Sequence, residues 1–160
     1  MSPAAPCTIL LVEDNPADVT FFEEALADCQ IPARLQVVEH GLKALQVLRR
    51  QGAFAAALRP DVVVLDLNLP VMNGREVLAA MMADPDLRDL PVVVLSTSVS
   101  DHRVIDLCPP GHCLYFSKTD DFGLLQEIVR QIIQHATAGH PALGPAQAGA
   151  VPPPGPLPAP

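Results

Sequence analysis

Glu13 and Asp14 stand side by side at the end of one apolar run, and Asp66 ends another, VVVLDLNLP. Ser96 and Thr97 follow a third, and Lys118 closes a last one, LYFSK. A strand buried on both faces is served by residues like Val62, Val63, Val64 and Leu65, and it gains nothing from a carboxylate at its end. Three carboxylates in one crevice repel one another, and something must make their ionisation tolerable. A hard divalent cation does so, and Mg²⁺ takes few protein carboxylates while keeping places for water and phosphate oxygens. An ammonium such as Lys118 and a hydroxyl such as Ser96 suit the other half of the task, which is to hold phosphoryl oxygens. Carboxylates, metal, hydroxyl and ammonium together describe a phosphoryl-transfer site.

For these residues to meet, the ends of several strands must lie along one edge. Strand-length apolar runs are expected over residues 8–12, 34–38, 62–66, 92–96 and 114–118, and stretches of helical period alternate with them. Over 16–29, Val19, Phe22, Leu26 and Cys29 recur at helical spacing, with Asn15 as N-cap and Pro16 at the first helical position. GLKALQVLRRQ carries Leu42, Leu45 and Leu48 on one face, and GREVLAAMMAD carries Val77, Leu78, Met81 and Met82. A short helix is expected near 101–107, stopped by Pro109-Pro110. A last helix, about 122–135, carries Phe122, Leu125, Val129 and Ile132. Five strands and five helices in alternation imply an α/β fold, an open parallel sheet with helices on both faces. Ligands bind such sheets outside the carboxyl ends of the strands, where strand order reverses. If the first and third strands are neighbours, Glu13, Asp14 and Asp66 share that crevice.

Composition narrows the classes. The 160 residues, 49% of them hydrophobic, suffice for one buried core. A formal net charge of −8 argues against a sequence-independent grip on nucleic acid. The apolar runs are too short for a transmembrane helix, and the start lacks the pattern of a secretory signal, so a cytoplasmic location is expected. Cys7, Cys29, Cys108 and Cys113 show no C-x-x-C spacing and are expected to be free thiols. In CPPGHC, Cys108, His112 and Cys113 crowd together, but a metal site would need a fourth ligand and a second ligand pair. A proline-rich turn into a strand is the plainer reading. The expected organisation is a lead over 1–6, a domain over 7–138, and a Pro/Ala-rich tail over 139–160 without charge or periodicity, disordered or polyproline-like.

Each site residue alone has an ordinary explanation. Glu13-Asp14 suits a helix N-terminus, Asp66 a turn before Leu69-Pro70, Ser96 a loop start and Lys118 a solvated surface. What favours a site is that all of them fall at one edge of one sheet. At this point the chain resembles the receiver domain of two-component response regulators, the chemotaxis-receiver fold. ILLVEDNPAD, VVVLDLNLPVMNG, PVVVLSTS and FSK occur in family order, and the resemblance runs over about 8–136.

The resemblance implies a flavodoxin-like sheet of order 2-1-3-4-5 and a phosphoacceptor role for Asp66. It implies Mg²⁺ held by the side chains of Asp14 and Asp66, the backbone carbonyl of Asn68, and Glu13 through a bound water. Ser96 would hydrogen-bond the phosphoryl group, with Thr97 beside it, and Lys118 would pair with another phosphoryl oxygen. Tyr115 takes the aromatic switch position; a strand aromatic covering the sheet edge is its plainer alternative. Pro70 and Gly74 would shape the loop after the acceptor. The implied reaction is phosphoryl transfer from a kinase phosphohistidine to Asp66, after which Ser96 moves and Tyr115 rotates inward. The switched face would be built from the fourth helix, fifth strand and fifth helix. That makes the chain a phosphoacceptor assisting its own phosphorylation and dephosphorylation, rather than a turnover enzyme.

Thr119 follows Lys118 where most receivers have proline, so a trans bond and a shifted loop are expected there. The segment over 51–60 looks longer than in the shortest receivers. With FFEEAL, LNLPVMNG and ADPDLRDLPVVVLSTS, these features resemble single-domain receivers that partner phytochrome-type light-sensing histidine kinases. No second domain and no basic stripe follow, so output would come through protein contact, dimerisation or phosphate relay. Phe122, Leu125, Ile128, Val129, Ile132 and Ile133 make a stripe wide enough for the sheet and a homodimer, or for core alone. Two rival readings remain. A phosphatase of the haloacid-dehalogenase type needs an acid two residues after its nucleophile, where this chain has Asn68. A phosphorylation-independent interaction module would usually lack one of the acids or the lysine, all of which are present.

Overall fold

Period-two alternation along each strand sorts the apolar residues onto two faces, and both faces are covered. The computed structural model describes residues 6–97 and 99–138; the remainder of the lead, over 1–5, and the tail over 139–160 lie outside the described residues. Strands β1 (Cys7–Val12), β2 (Ala33–Val38), β3 (Val62–Asp66), β4 (Val92–Ser96) and β5 (Cys113–Ser117) form one sheet of order β2-β1-β3-β4-β5. Every neighbouring pair is parallel, with Leu11 opposite Val64 and Ser96 opposite Ser117. The expected order and direction therefore hold. Leu10, Val12, Val63, Leu65, Val92 and Val94 point into one core, and Ile9, Leu11, Val62, Val64, Val93 and Leu95 into the other.

Helices α1 (Pro16–Asp28) and α4 (Phe122–Ala138) cover the second face; α2 (Gly41–Leu48) and α3 (Gly74–Ala83) cover the first. The α1 start is as expected: Asn15 Oδ1 accepts the Ala17 N–H at 2.9 Å, and Pro16 occupies the first turn. Asn73 and Glu76 cap α3 reciprocally, each side chain accepting from the other's backbone N–H. Along α2 the buried stripe is Gly41, Ala44, Leu45, Val47 and Leu48, and Leu42 is exposed. At 3.6 residues per turn Leu42 lies well round from the centre of that stripe, which corrects its expected place on the apolar face.

One other expectation is corrected, that of the cysteines. The short helix expected near 101–107 is present, as a 3-10 helix over Val99–Leu107. Of its apolar side chains, Val104 is buried and Ile105 packs partly against the core, too little of a stripe to hold regular α geometry. The four cysteines are not all free: Cys108 and Cys113 form a disulfide, leaving Cys7 and Cys29 as thiols. The Pro109-Pro110-Gly111 turn, with Gly111 at φ 81°, folds the chain back so the two sulfurs meet. Sulfurs bonded to each other are not metal ligands, so the metal reading of CPPGHC lapses.

The wide stripe on α4 is spent mainly on the core: Leu125, Ile128, Val129, Ile132 and Ala136 are buried. Phe122 packs on Phe21 with ring centroids 5.7 Å apart and the planes tilted by 52°, and Leu124 is half exposed. The positioning consequence centres on β3. Val62, Val63, Val64 and Leu65 are each fully buried, each contributing about 1.5–3 kcal/mol by leaving water. That packing makes β3 a rigid mount for its last residue, Asp66.

Candidate functional site

The carboxyl ends of β1, β3, β4 and β5 bring the expected residues together. Glu13 and Asp14 follow β1, Asp66 ends β3, Ser96 ends β4, and Lys118 follows β5. Glu13 and Asp66 are buried and Ser96 is fully so, while Asp14 faces solvent. Carboxylate oxygens of Glu13, Asp14 and Asp66 all lie within 4.8 Å of one another. This set is wholly hard oxygen with one member open to water, which fits a Mg²⁺-type cation that keeps part of its hydration shell.

Lys118 ties the cluster together. Its Nζ lies 2.7 Å from Glu13, 2.9 Å from Asp18 and 3.3 Å from Asp66, and its backbone N–H donates to the Ser96 carbonyl at 2.8 Å. Burial alone would lower the ammonium's pKa, but hydrogen bonds to Glu13 and Asp18 and the charges of Glu13 and Asp66 outweigh it, so Lys118 is held firmly protonated. Burial pushes the Glu13 carboxyl up to about 7, helped by the Asp66 charge and resisted by Lys118. No peptide bond among the described residues is cis, so the Lys118–Thr119 bond is trans as expected.

The loop after β3 is shaped around Asp66. The Asn68 backbone N–H donates to Asp66 Oδ1 at 3.2 Å, and Asn68 itself is exposed. Gly74 folds back onto this loop, donating its N–H to the Leu67 carbonyl at 3.0 Å. A Cβ there would sit 2.3 Å from the Asp66 carbonyl oxygen, so only glycine lets α3 start so close to Asp66. Thr97, one residue beyond β4, is exposed.

Ser96 and Tyr115 belong to a second network. Ser96 Oγ donates to Asp101 Oδ2 at 3.1 Å, and Asp101 Oδ1 accepts from Arg75 at 2.6 Å. The Tyr115 hydroxyl is hydrogen-bonded to the Ser96 side chain. Tyr115 is partly buried. The Asp101 carboxylate engages the Ser96 hydroxyl, and Tyr115 binds that same hydroxyl.

Three members of the site escaped the sequence reading: Asp18, Arg75 and Asp101. Asp18 reads as an ordinary acid in the first turn of α1, and no signal set it apart. Arg75 and Asp101 had no signal either, because their pairing depends on how the 3-10 segment crosses the start of α3.

The response regulator receiver domain family matches residues 9–136. Response regulator Rcp1 of Synechocystis sp. is 45% identical over 100 residues, covering 62% of this chain and 68% of that protein. The phosphorylated cyanobacterial phytochrome response regulator RcpA superposes with a TM-score of 0.73 at 42% identity, over 83% of this chain and 95% of that one. The Mn²⁺-bound form of Rcp1 gives 0.69 at 39% identity, over 79% and 91%. With the match spanning both cores and every strand end that carries a site residue, this chain belongs to the response regulator receiver domain family.

Proposed function

We propose that Asp66 accepts a phosphoryl group from the phosphohistidine of a sensor histidine kinase, and that the chain works as a response regulator. The observation that carries this reading is the buried Asp66 carboxylate at the rigid end of β3, 3.3 Å from the Lys118 ammonium and within 4.8 Å of Glu13 and Asp14 oxygens. In the step, an Asp66 oxygen forms a bond to phosphorus as the phosphorus–nitrogen bond breaks, and the electron pair stays on the departing imidazole. Asp14 and Asp66 would hold Mg²⁺ directly, with the Asn68 carbonyl, and Glu13 through water; when bound, the cation offsets charge on the phosphoryl oxygens. Lys118 supplies a fixed positive charge to another of those oxygens, and Ser96 offers a hydroxyl. Asp66 ends as a mixed anhydride carrying up to two negative charges, which must then be hydrolysed or passed on.

The names of the relatives support a phytochrome-type kinase as the phosphodonor. A kinase partner that consumes ATP would favour a cytoplasmic location, and an acidic chain suits protein partners rather than nucleic acid. A domain over 7–138 with an appended tail over 139–160 completes the reading. The exposed Leu107, the last residue of the 3-10 segment, and Leu124 on α4 support a second copy as one such partner, joined with β5. Sedimentation should then show a dimer at high concentration, with or without a phosphoryl mimic; a monomer throughout removes that part.

The test of the main reading is intact mass after incubation with Mg²⁺ and acetyl phosphate, for the wild type and Asp66→Asn. One phosphoryl adduct on the wild type alone establishes Asp66 as acceptor. No adduct on either leaves a phosphorylation-independent interaction module, and an adduct on both moves the chemistry to another residue.

A further inference from the structure

Ser96 has one hydroxyl proton, and in this structure it is committed. Its Oγ donates to Asp101 Oδ2 at 3.1 Å, and a carboxylate can only accept. The Tyr115 hydroxyl is also in hydrogen-bond contact with the Ser96 side chain. Asp101 is itself pinned: Arg75, just after Gly74 at the start of α3, donates to its other oxygen at 2.6 Å. The pair is partly shielded, with the Asp101 side chain 18% exposed, and Ser96 is fully buried. Hydrogen bonds to an ionised acceptor are among the stronger ones, so the Ser96 hydroxyl does not leave Asp101 without cost.

We propose that Asp101, held by Arg75, is a positioning residue that competes with the phosphoryl group on Asp66 for the Ser96 hydroxyl. This rests on Asp66 being the phosphoacceptor. In the resting arrangement Asp101 accepts the Ser96 proton. When the phosphoryl group is present, its oxygens take that hydrogen bond, and the Asp101–Arg75 pair is released toward solvent. The competition runs between the 3-10 segment Val99–Leu107, which carries Asp101, and the start of α3, which carries Arg75. Phosphorylation is thereby coupled to the placement of a surface segment without any change in the strands. The same competition sets how readily the chain is phosphorylated, because each phosphoryl group must displace Asp101 before Ser96 can bind it.

The experiment is a double-mutant cycle read by calorimetric titration of beryllofluoride, a phosphoryl mimic, at saturating Mg²⁺. Asp101→Ala should bind beryllofluoride about tenfold more tightly than the wild type, since a competing charged acceptor has gone. Its Mg²⁺ affinity should be unchanged, which a general loosening of the site would not give. In a Ser96→Ala background the Asp101→Ala effect should vanish. Asp101→Asn, which keeps the shape and an acceptor oxygen but loses the charge, should fall between and covers the case of a poorly folded alanine variant. Equal or weaker beryllofluoride binding by the Asp101 variants, or an effect that survives in Ser96→Ala, overturns the proposal. If the wild type binds Mg²⁺ but no beryllofluoride, the phosphoacceptor reading of Asp66 fails first, and this one with it.

Discussion

Lys118 places one ammonium within 3.3 Å of three carboxylates, those of Glu13, Asp18 and Asp66, and two of the three are buried. Removing it leaves like charges facing one another in a poorly solvated crevice, where an uncompensated buried charge is costly. Lys118→Ala should therefore melt at lower temperature than the wild type without Mg²⁺ and recover part of the difference when Mg²⁺ is added. Its phosphorylation by acetyl phosphate should slow about a hundredfold, the scale on which one preaimed charge contributes to a developing anion. Following the adduct by mass over time checks the rate, and an unchanged rate would remove Lys118 from the phosphoryl site. These residues were legible because each is a polar residue at the end of an apolar run, where burial gives it no structural purpose. Asp18, Arg75 and Asp101 were not, because an exposed acid or arginine acquires a meaning only from the partner the fold brings to it.

Among the elements, α3 is placed by a single missing side chain. A Cβ at Gly74 would lie 2.3 Å from the Asp66 carbonyl oxygen and 2.6 Å from the Leu67 Cα. Those neighbours are backbone, and a flexible side chain could yield where they cannot. Gly74→Ala should cost about 1–3 kcal/mol by forcing the loop away from α3. For a domain of this size that lowers Tm by about 3–10 °C. Because the displaced backbone is that of Asp66 itself, the variant should also phosphorylate more slowly than its stability loss explains, measured well below its Tm. Strands and the caps of α1 were readable because alternation, Asn15-Pro16 and apolar spacing agree. The 3-10 segment and the disulfide were not. VSDHRVIDL has no sustained apolar face to declare a helix type, and C-x-x-x-x-C permits either thiols or a bond until the Pro-Pro-Gly turn is folded.

On the scale of the whole molecule, the parallel sheet separates two ends with different chemistry. Continuous apolar runs in turn with helical stretches made a parallel sheet covered on both faces readable, whereas the order of the strands came from family resemblance, since periodicity carries no information about neighbours. The carboxyl ends hold the carboxylate cluster and Lys118; at the other end, just before β5, His112 lies beside His135 of α4, whose Nε2 is 2.8 Å from the His112 carbonyl oxygen. Burial lowers the pKa of both rings below the usual 6.5, His112 against the pull of the Leu90 backbone and Asp89, and His135 further through the His112 charge. A group that binds protons less readily in the folded state contributes stability that is complete above its unfolded pKa and is lost as pH falls through the folded one. The histidine end should thus destabilise the protein progressively below about pH 6.5. Glu13 acts in the opposite sense, because its folded pKa of about 7 exceeds its unfolded value, so the fold gains from that group as pH drops below 7. The two contributions separate by mutation. His135→Gln can keep a donor toward the His112 carbonyl but does not titrate, so its melting temperature should fall less than the wild type's between pH 7 and pH 5, with Glu13 common to both. Parallel pH profiles for the two proteins would place the acid sensitivity elsewhere in the chain.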